Sequence, residues 1–275
     1  MARVPVDEEQ VSWMVAQERT SQHTVVIIQA RMGSSRLPGK VLKEIDGRPM
    51  LDWVVTRARR AETVDEVAVA TTTDAADDPI AAFCTAHGVR IFRGDVFDVL
   101  DRYYQAALAF QADIVVRLTA DCPLIDPQVI DLTVQRFLQT GADFAANRLP
   151  PPFKRTYPIG LDTEVCSFAA LQRAWQEADL KYQREHVMPY LYDQEGRFKV
   201  EVVDHIEDQG AQRWTVDTLQ DLEFVRQVAV RFDGRDDFGW LDVLALLEKE
   251  PALKAINAEI HHKTMVDVDE RNGKK

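Results

Sequence analysis

The sequence predicts a doubly wound α/β fold with a mostly parallel sheet and a small inserted hairpin and helix subdomain, on three observations. From Thr24 onward, strand-like apolar runs alternate with amphipathic stretches. The runs lack the every-other-residue polarity of a strand with one wet face, so burial on both faces is expected. Helical stretches between them call for right-handed parallel crossovers.

In chain order, residues 1–23 are polar and acidic apart from an apolar cluster from Val11 to Val15, which suits an accessory helix or a frayed extension. The first strand is TVVIIQA. A helix over Met50 to Ala61 follows, then the strand EVAVATTT, a helix over Pro79 to His87, the strand VRIFRG, a helix over Val99 to Phe110 and the strand DIVVRLTAD. The next helix starts at Asp126-Pro127, with an N-cap and a proline at its first helical position. Regularity then breaks at ANRLPPPFKRTYPIGLD, whose prolines and arginines predict a loop or hairpin connection. Apolar runs return at LDTEVCSF and FKVEVV, separated by a helix over Ala169 to Ala178 and a second near Gln183 to Tyr192. A strand-like RWTVDT leads into a helix over Leu219 to Arg231, and a last helix over Leu241 to Lys249 precedes a polar tail. The expected division is an extension at 1–23, the α/β domain at 24–232 and a C-terminal helix and tail at 233–275.

Composition narrows the classes of function. At 275 residues, 46% hydrophobic and 28% charged, the chain can bury one large core. A net charge of -12 disfavours nucleic acid polymers and anionic membranes as partners, because both are bound largely through clustered Lys and Arg. No run approaches the ~18 apolar residues of a membrane helix, and no secretion signal is visible, so a cytoplasmic location is expected. Cys84, Cys122 and Cys166 are too widely spaced for a C-x-x-C pair and read as core residues.

Against that acidic background, the stretch ARMGSSRLPGK stands out. Arg31, Gly33, Ser34, Ser35, Arg36, Gly39 and Lys40 directly follow the first strand, at the edge where open parallel sheets bind ligands. Small residues let backbone N–H groups turn toward an oxyanion, and the cations cancel phosphate charge. The pattern is neither a Walker nor a dinucleotide loop, and a solvated connection is its bland alternative. Lys40, on that loop, is expected to face solvent.

Three acidic clusters accompany it. Asp121 ends the strand of VVRLTADCPLID, and Asp217 ends RWTVDT; each could cap a turn or helix, or hold a hard cation. Together they would hold one Mg²⁺ between them and a triphosphate. Asp217 or Thr218 could equally be an N-cap, with Asp221 and Glu223 in the helix beyond. In FRGDVFDVLDRYYQAA, Asp95 and Asp98 read by default as caps and surface pairs, although Asp98 with Asp101 and Arg102 could reach a nucleotide.

The order ARMGSSRLPGK, IDGRPML, ADCPLID, EHV and WTVDTLQDLE resembles the cytidylyltransferase family that includes 3-deoxy-manno-octulosonate and acylneuraminate cytidylyltransferases, and within it the spore-coat polysaccharide (SpsF-like) branch. The resemblance spans roughly residues 24–232. It implies a nucleotide-diphospho-sugar transferase type of fold and an enzyme that joins CTP to a sugar acid, giving a CMP-sugar and pyrophosphate with Mg²⁺. Carried over by position, Arg31, Gly33, Ser34, Ser35, Arg36, Lys40 and Asp98 would meet the nucleotide. Lys40, Arg36, Asp121 and Asp217 would carry catalysis, the two aspartates as metal ligands. Tyr157, Gly160, Asp162, Glu164, Arg184, Glu185 and His186 would form the sugar pocket. ADCP stands where the octulosonate enzymes have GDEP, which leaves the choice of sugar open. His186 as general base competes with metal-assisted deprotonation. A homodimer is compatible with all of this. Another acceptor or nucleotide, a glycosyltransferase and a non-catalytic sugar-nucleotide binder are the competing readings.

Overall fold

The computed structural model describes residues 22–150 and 153–260. The expected N-terminal extension and the polar tail therefore lie almost wholly outside the described residues. β1 (Thr24–Gln29) is the hub of a seven-stranded sheet ordered β5-β4-β1-β6-β8-β7-β9. β4 (Glu66–Thr72) and β6 (Ile114–Thr119) flank it in parallel, and β5 (Arg90–Gly94) extends the sheet beyond β4. β8 (Glu164–Ser167) runs antiparallel between β6 and β7 (Phe144–Ala146), and β9 (Val200–Val202) closes the edge parallel to β7. Val25, Val26, Ile27 and Ile28 are all fully buried, as a strand without polar alternation requires.

One face of the sheet is covered by α1 (Met50–Ala58), α2 (Asp78–Ala86) and α4 (Pro127–Thr140), through residues such as Val54, Phe83 and Val134. The other carries α3 (Val99–Ala109), α5 (Phe168–Glu177) and α7 (Pro189–Tyr192), through Tyr103, Leu171 and Leu191. The start of α4 is set as its sequence predicts: Asp126 accepts from the N–H groups of Gln128 and Val129, Pro127 follows, and Gly141 at φ 59° ends the helix.

A third cluster joins α8 (Leu219–Arg231), α9 (Trp240–Lys249) and α10 (Ala252–Ala255) to Leu37, Ile45, Met50 and Trp53. Beyond residue 232, Trp240, Val243, Leu247 and Leu253 share this cluster with residues about two hundred positions earlier.

Two local expectations are revised, and one hairpin was not foreseen. RWTVDT is a bent connection, not a sheet strand: Trp214 N–H donates to Ile159 O at 2.7 Å and Val216 N–H to Asp121 O at 2.8 Å, with one bridge between Ile159 and Arg213. The helix expected near Gln183 to Tyr192 is two pieces, α6 (Lys181–His186) and α7, split by Val187 at φ 72° and by Pro189. The hairpin of β2 (Glu44–Ile45) and β3 (Arg48–Pro49), turning on Asp46-Gly47 with both φ positive, follows an Asp-Gly cue in the sequence.

Candidate active site

The chain leaves β1 for β4 on one side and later returns to β6 on the other, so the order reverses at β1 and opens a crevice at the strands' carboxyl ends. A cavity of about 300 Å³ lies there. Arg31, Gly33, Ser34, Ser35, Arg36 and Lys40 line one wall, and Thr119, Asp121 and Asp217 the facing one.

The loop has a fixed shape. Met32 O accepts from the N–H groups of Ser34 and Gly39 at 2.9 and 3.0 Å, Met32 N–H donates to Asp77 at 2.7 Å, and Leu37 N–H donates to the Ser34 hydroxyl at 3.3 Å. Gly39 at φ 66° then turns the chain into the short 3-10 turn Lys40–Leu42.

That turn aims Lys40 inward. Its side chain does not face solvent as the loop position suggested: Lys40 is only 8% exposed. The ammonium donates to Asp121 Oδ2 at 2.7 Å, Asp217 Oδ1 at 2.8 Å and Val216 O at 2.9 Å. Burial works against its charge, but the two carboxylates outweigh burial and hold its pKa above the ordinary lysine value. Asp121 and Asp217 answer in kind; burial pushes both up, and Lys40, with Thr119 and Cys122 at Asp121 and Arg36 at Asp217, more than reverses it, leaving both below the usual aspartate value.

Asp217 is available for this role because Thr218 takes the helix cap. The Thr218 hydroxyl accepts from Asp221 N–H at 3.2 Å, and Asp221 accepts from Thr218 N–H at 3.0 Å, a reciprocal capping box. Asp217 Oδ2 receives Arg36 at 2.8 Å and Arg213 at 2.9 Å. Two carboxylates and a carbonyl thus converge on one ammonium, and these are the oxygen donors a hard cation takes.

The other expected site residues lie outside this cavity's lining. Asp98 caps α3 and pairs with Arg184 at 2.5 to 3.1 Å. Tyr157 is buried, its ring 5.5 Å from that of Trp240, and burial raises its pKa. Gly160 at φ 110° packs on the Trp214–Thr215 backbone. Asp162 pairs with Arg155, one bond at 3.0 Å. Glu164 pairs with Arg117, which reaches Gln29 at 3.2 Å, and Gln29 does line the cavity. Glu185 is exposed on α6, and His186 ends that helix. Sequence reasoning overlooked Gln29, Thr119 and Arg213; Arg213 alone had a cue, four residues before Asp217 in RWTVD.

Comparison with known proteins identifies the family. A cytidylyltransferase family model matches residues 25–255. An uncharacterized protein of Methanocaldococcus jannaschii is 36% identical over 247 residues, covering 89% of this chain and 98% of that relative. The spore coat polysaccharide biosynthesis protein SpsF of Bacillus subtilis is 31% identical over 232 residues, 82% of this chain and 94% of that protein. Among solved structures, a cytidylyltransferase from Leptospira borgpetersenii is similar at a TM-score of 0.80 and 33% identity, covering 88% of this chain and all of that one. The structure of CMP:2-keto-3-deoxy-manno-octonic acid synthetase complexed with CTP shares the fold, at a TM-score of 0.58 and 24% identity over 76% of this chain and 99% of that one. With the family's match running from β1 through α10 and relatives similar over nearly their whole length, the chain belongs to the cytidylyltransferase family of nucleotidyltransferases.

Proposed function

We propose that this protein transfers a cytidylyl group from CTP to a sugar acid, releasing pyrophosphate, with Mg²⁺ held by Asp121 and Asp217. The observation that carries the reading is the Lys40 ammonium gripped by both carboxylates at the mouth of a loop rich in Arg, Gly and Ser. The octulosonic acid synthetase, a solved structure of the same fold, was obtained with CTP, and the relative SpsF is named for spore coat polysaccharide biosynthesis. Both fit a role in activating sugars for a surface polysaccharide or glycan. A cytoplasmic location, where nucleoside triphosphates are at hand, suits that role; no helix among the described residues is long and apolar enough to cross a membrane.

In this reading the acceptor hydroxyl gives its proton to solvent water as its oxygen attacks the α-phosphorus. The bond from that phosphorus to the oxygen bridging to the β-phosphate breaks, and pyrophosphate departs in line. Arg31, Ser34, Ser35 and Arg36 hold the phosphates, and Lys40 exchanges a carboxylate for a phosphate oxygen as negative charge moves onto the leaving group. Bound Mg²⁺ would cancel triphosphate charge and polarise the phosphoryl oxygens. Gln29 lines the cavity, and Arg117 ties it to Glu164, a sugar-pocket candidate. His186, outside the cavity's lining, is given no proton-transfer step.

The test is pyrophosphate release with each nucleoside triphosphate, Mg²⁺ and a panel of keto-sugar acids. Release that needs CTP, a sugar acid and the cation together supports the proposal. Release with a sugar 1-phosphate or an alditol phosphate instead would replace the acceptor, and full activity in excess chelator would remove the metal.

A further inference from the structure

We propose that Arg213 is a positioning residue that fixes Asp217 for cation binding, and that the C-terminal segment carrying Asn257 completes its support. The inference rests on the reading of Asp121 and Asp217 as the cation's ligands.

Asp217 has three cationic partners, and they are not equivalent. Lys40 and Arg36 belong to the loop that lines the cavity, where a triphosphate would draw them away. Arg213 does not line that cavity and stands behind Asp217, with its side chain 6% exposed. Its Nε reaches Asp221 Oδ1 at 2.9 Å, and its Nη2 reaches Asp221 Oδ2 at 3.1 Å and Asp217 Oδ2 at 2.9 Å. The planar guanidinium can clamp one carboxylate with two nitrogens and still hold a second, which a lysine ammonium cannot do with the same geometry.

Asp221 is fully buried and also accepts from Asp217 N–H at 3.0 Å. One buried pair therefore fixes Asp217 twice, Asp221 by its backbone and Arg213 by its carboxylate. Asn257, 5% exposed, braces the pair by donating to Arg213 O and Asp221 Oδ1, both at 3.0 Å. If nucleotide phosphates drew Lys40 and Arg36 away, Arg213 would still hold Asp217 Oδ2, and Asp217 would keep an oriented carboxylate to hold the cation. Outer partners of this kind commonly set metal affinity by ~10- to 100-fold.

The test titrates Mn²⁺ into the full chain with CTP present and no acceptor, following free Mn²⁺ by electron paramagnetic resonance beside thermal melting. Arg213→Lys is expected to weaken Mn²⁺ binding by at least ~10-fold, to recover turnover at high Mn²⁺, and to change KM for CTP much less. Asn257→Ala is expected to lose affinity in the same direction but less. If Asp217→Asn loses Mn²⁺ while a folded Arg213→Lys binds it as the wild type does, the ligand assignment stands and this inference falls. Should Arg213→Lys fail to fold, wild-type affinity in Asn257→Ala overturns it. A wild-type protein that binds no Mn²⁺ with CTP overturns the ligand assignment and this inference with it.

Discussion

Lys40 concentrates the electrostatics of the site in one side chain. Replacing it with methionine keeps much of the stem and removes the cation that Asp121 and Asp217 share. Turnover should fall by at least ~100-fold, the ~3 kcal/mol expected for losing a group that stabilises the transition state. Because Lys40 is buried and Asp121 loses its only ion-pair partner among the described residues, the melting temperature should fall too. Wild-type turnover in this variant would contradict the assignment. The pH dependence follows from the same ion pairs. Asp121 and Asp217 sit below the ordinary aspartate value of ~3.9, so their contribution to stability is complete above about pH 4 and fades as pH falls through their folded values. Lys40 is raised, so its contribution is complete below ~10.4 and fades above. The melting-temperature gap between the wild type and Asp121→Asn should therefore hold steady from about pH 5 to 9 and close below about 4. A gap that widens on acidification would contradict this. Individual residues were partly legible in the sequence: Asp121 and Asp217 at the ends of apolar runs, and cations in a Gly/Ser loop. Arg213 had only the cue of standing four residues before Asp217, and Asn257 had none, because its contacts span 36 and 44 positions that no local pattern encodes.

At the level of elements, the segment that presents Asp217 has no ladder of its own and leans on Gly160. A Cβ at that position would sit 2.7 Å from Thr215 N, and φ there is 110°. Gly160→Ala should thus cost about 2 to 3 kcal/mol in strain and displacement, read as a lower urea midpoint. Turnover should fall with it, since residues 214–217 must shift. A wild-type midpoint would show that the close approach is not a constraint. The same segment explains why RWTVDT reads as a strand: its apolar and β-branched residues are buried, but its backbone bends and its bonds go to Ile159 and Asp121. Periodicity reports burial, not which partner takes the hydrogen bonds. The central strands were legible for the complementary reason, that burial on both faces leaves a continuous apolar run.

Across the whole molecule, the C-terminal helices belong to both the core and the site. They close the third apolar cluster and carry Asn257 to Arg213. A chain ending at residue 232 is expected to lose cooperative urea unfolding, because Trp214, Phe224 and Val228 would be left without Trp240, Val243 and Leu247. A sharp, wild-type-like transition in that truncation would contradict the single-core description. The family's sequence order stopped short of this because motif-bearing residues end near Asp221, whereas the helices beyond contribute chiefly apolar packing. The central claim is nucleotidyl transfer from CTP across Asp121, Asp217 and Lys40. Its most direct test compares kcat/KM for pyrophosphate release with CTP, UTP, ATP and GTP, using one accepted sugar, in the wild type and in Asp121→Asn and Asp217→Asn. CTP should exceed ATP and GTP by at least ~10-fold, about 1.4 kcal/mol, and each substitution should remove at least ~100-fold of the rate. Equal values for the four nucleotides, a purine preference, or aspartate variants as fast as the wild type would contradict it.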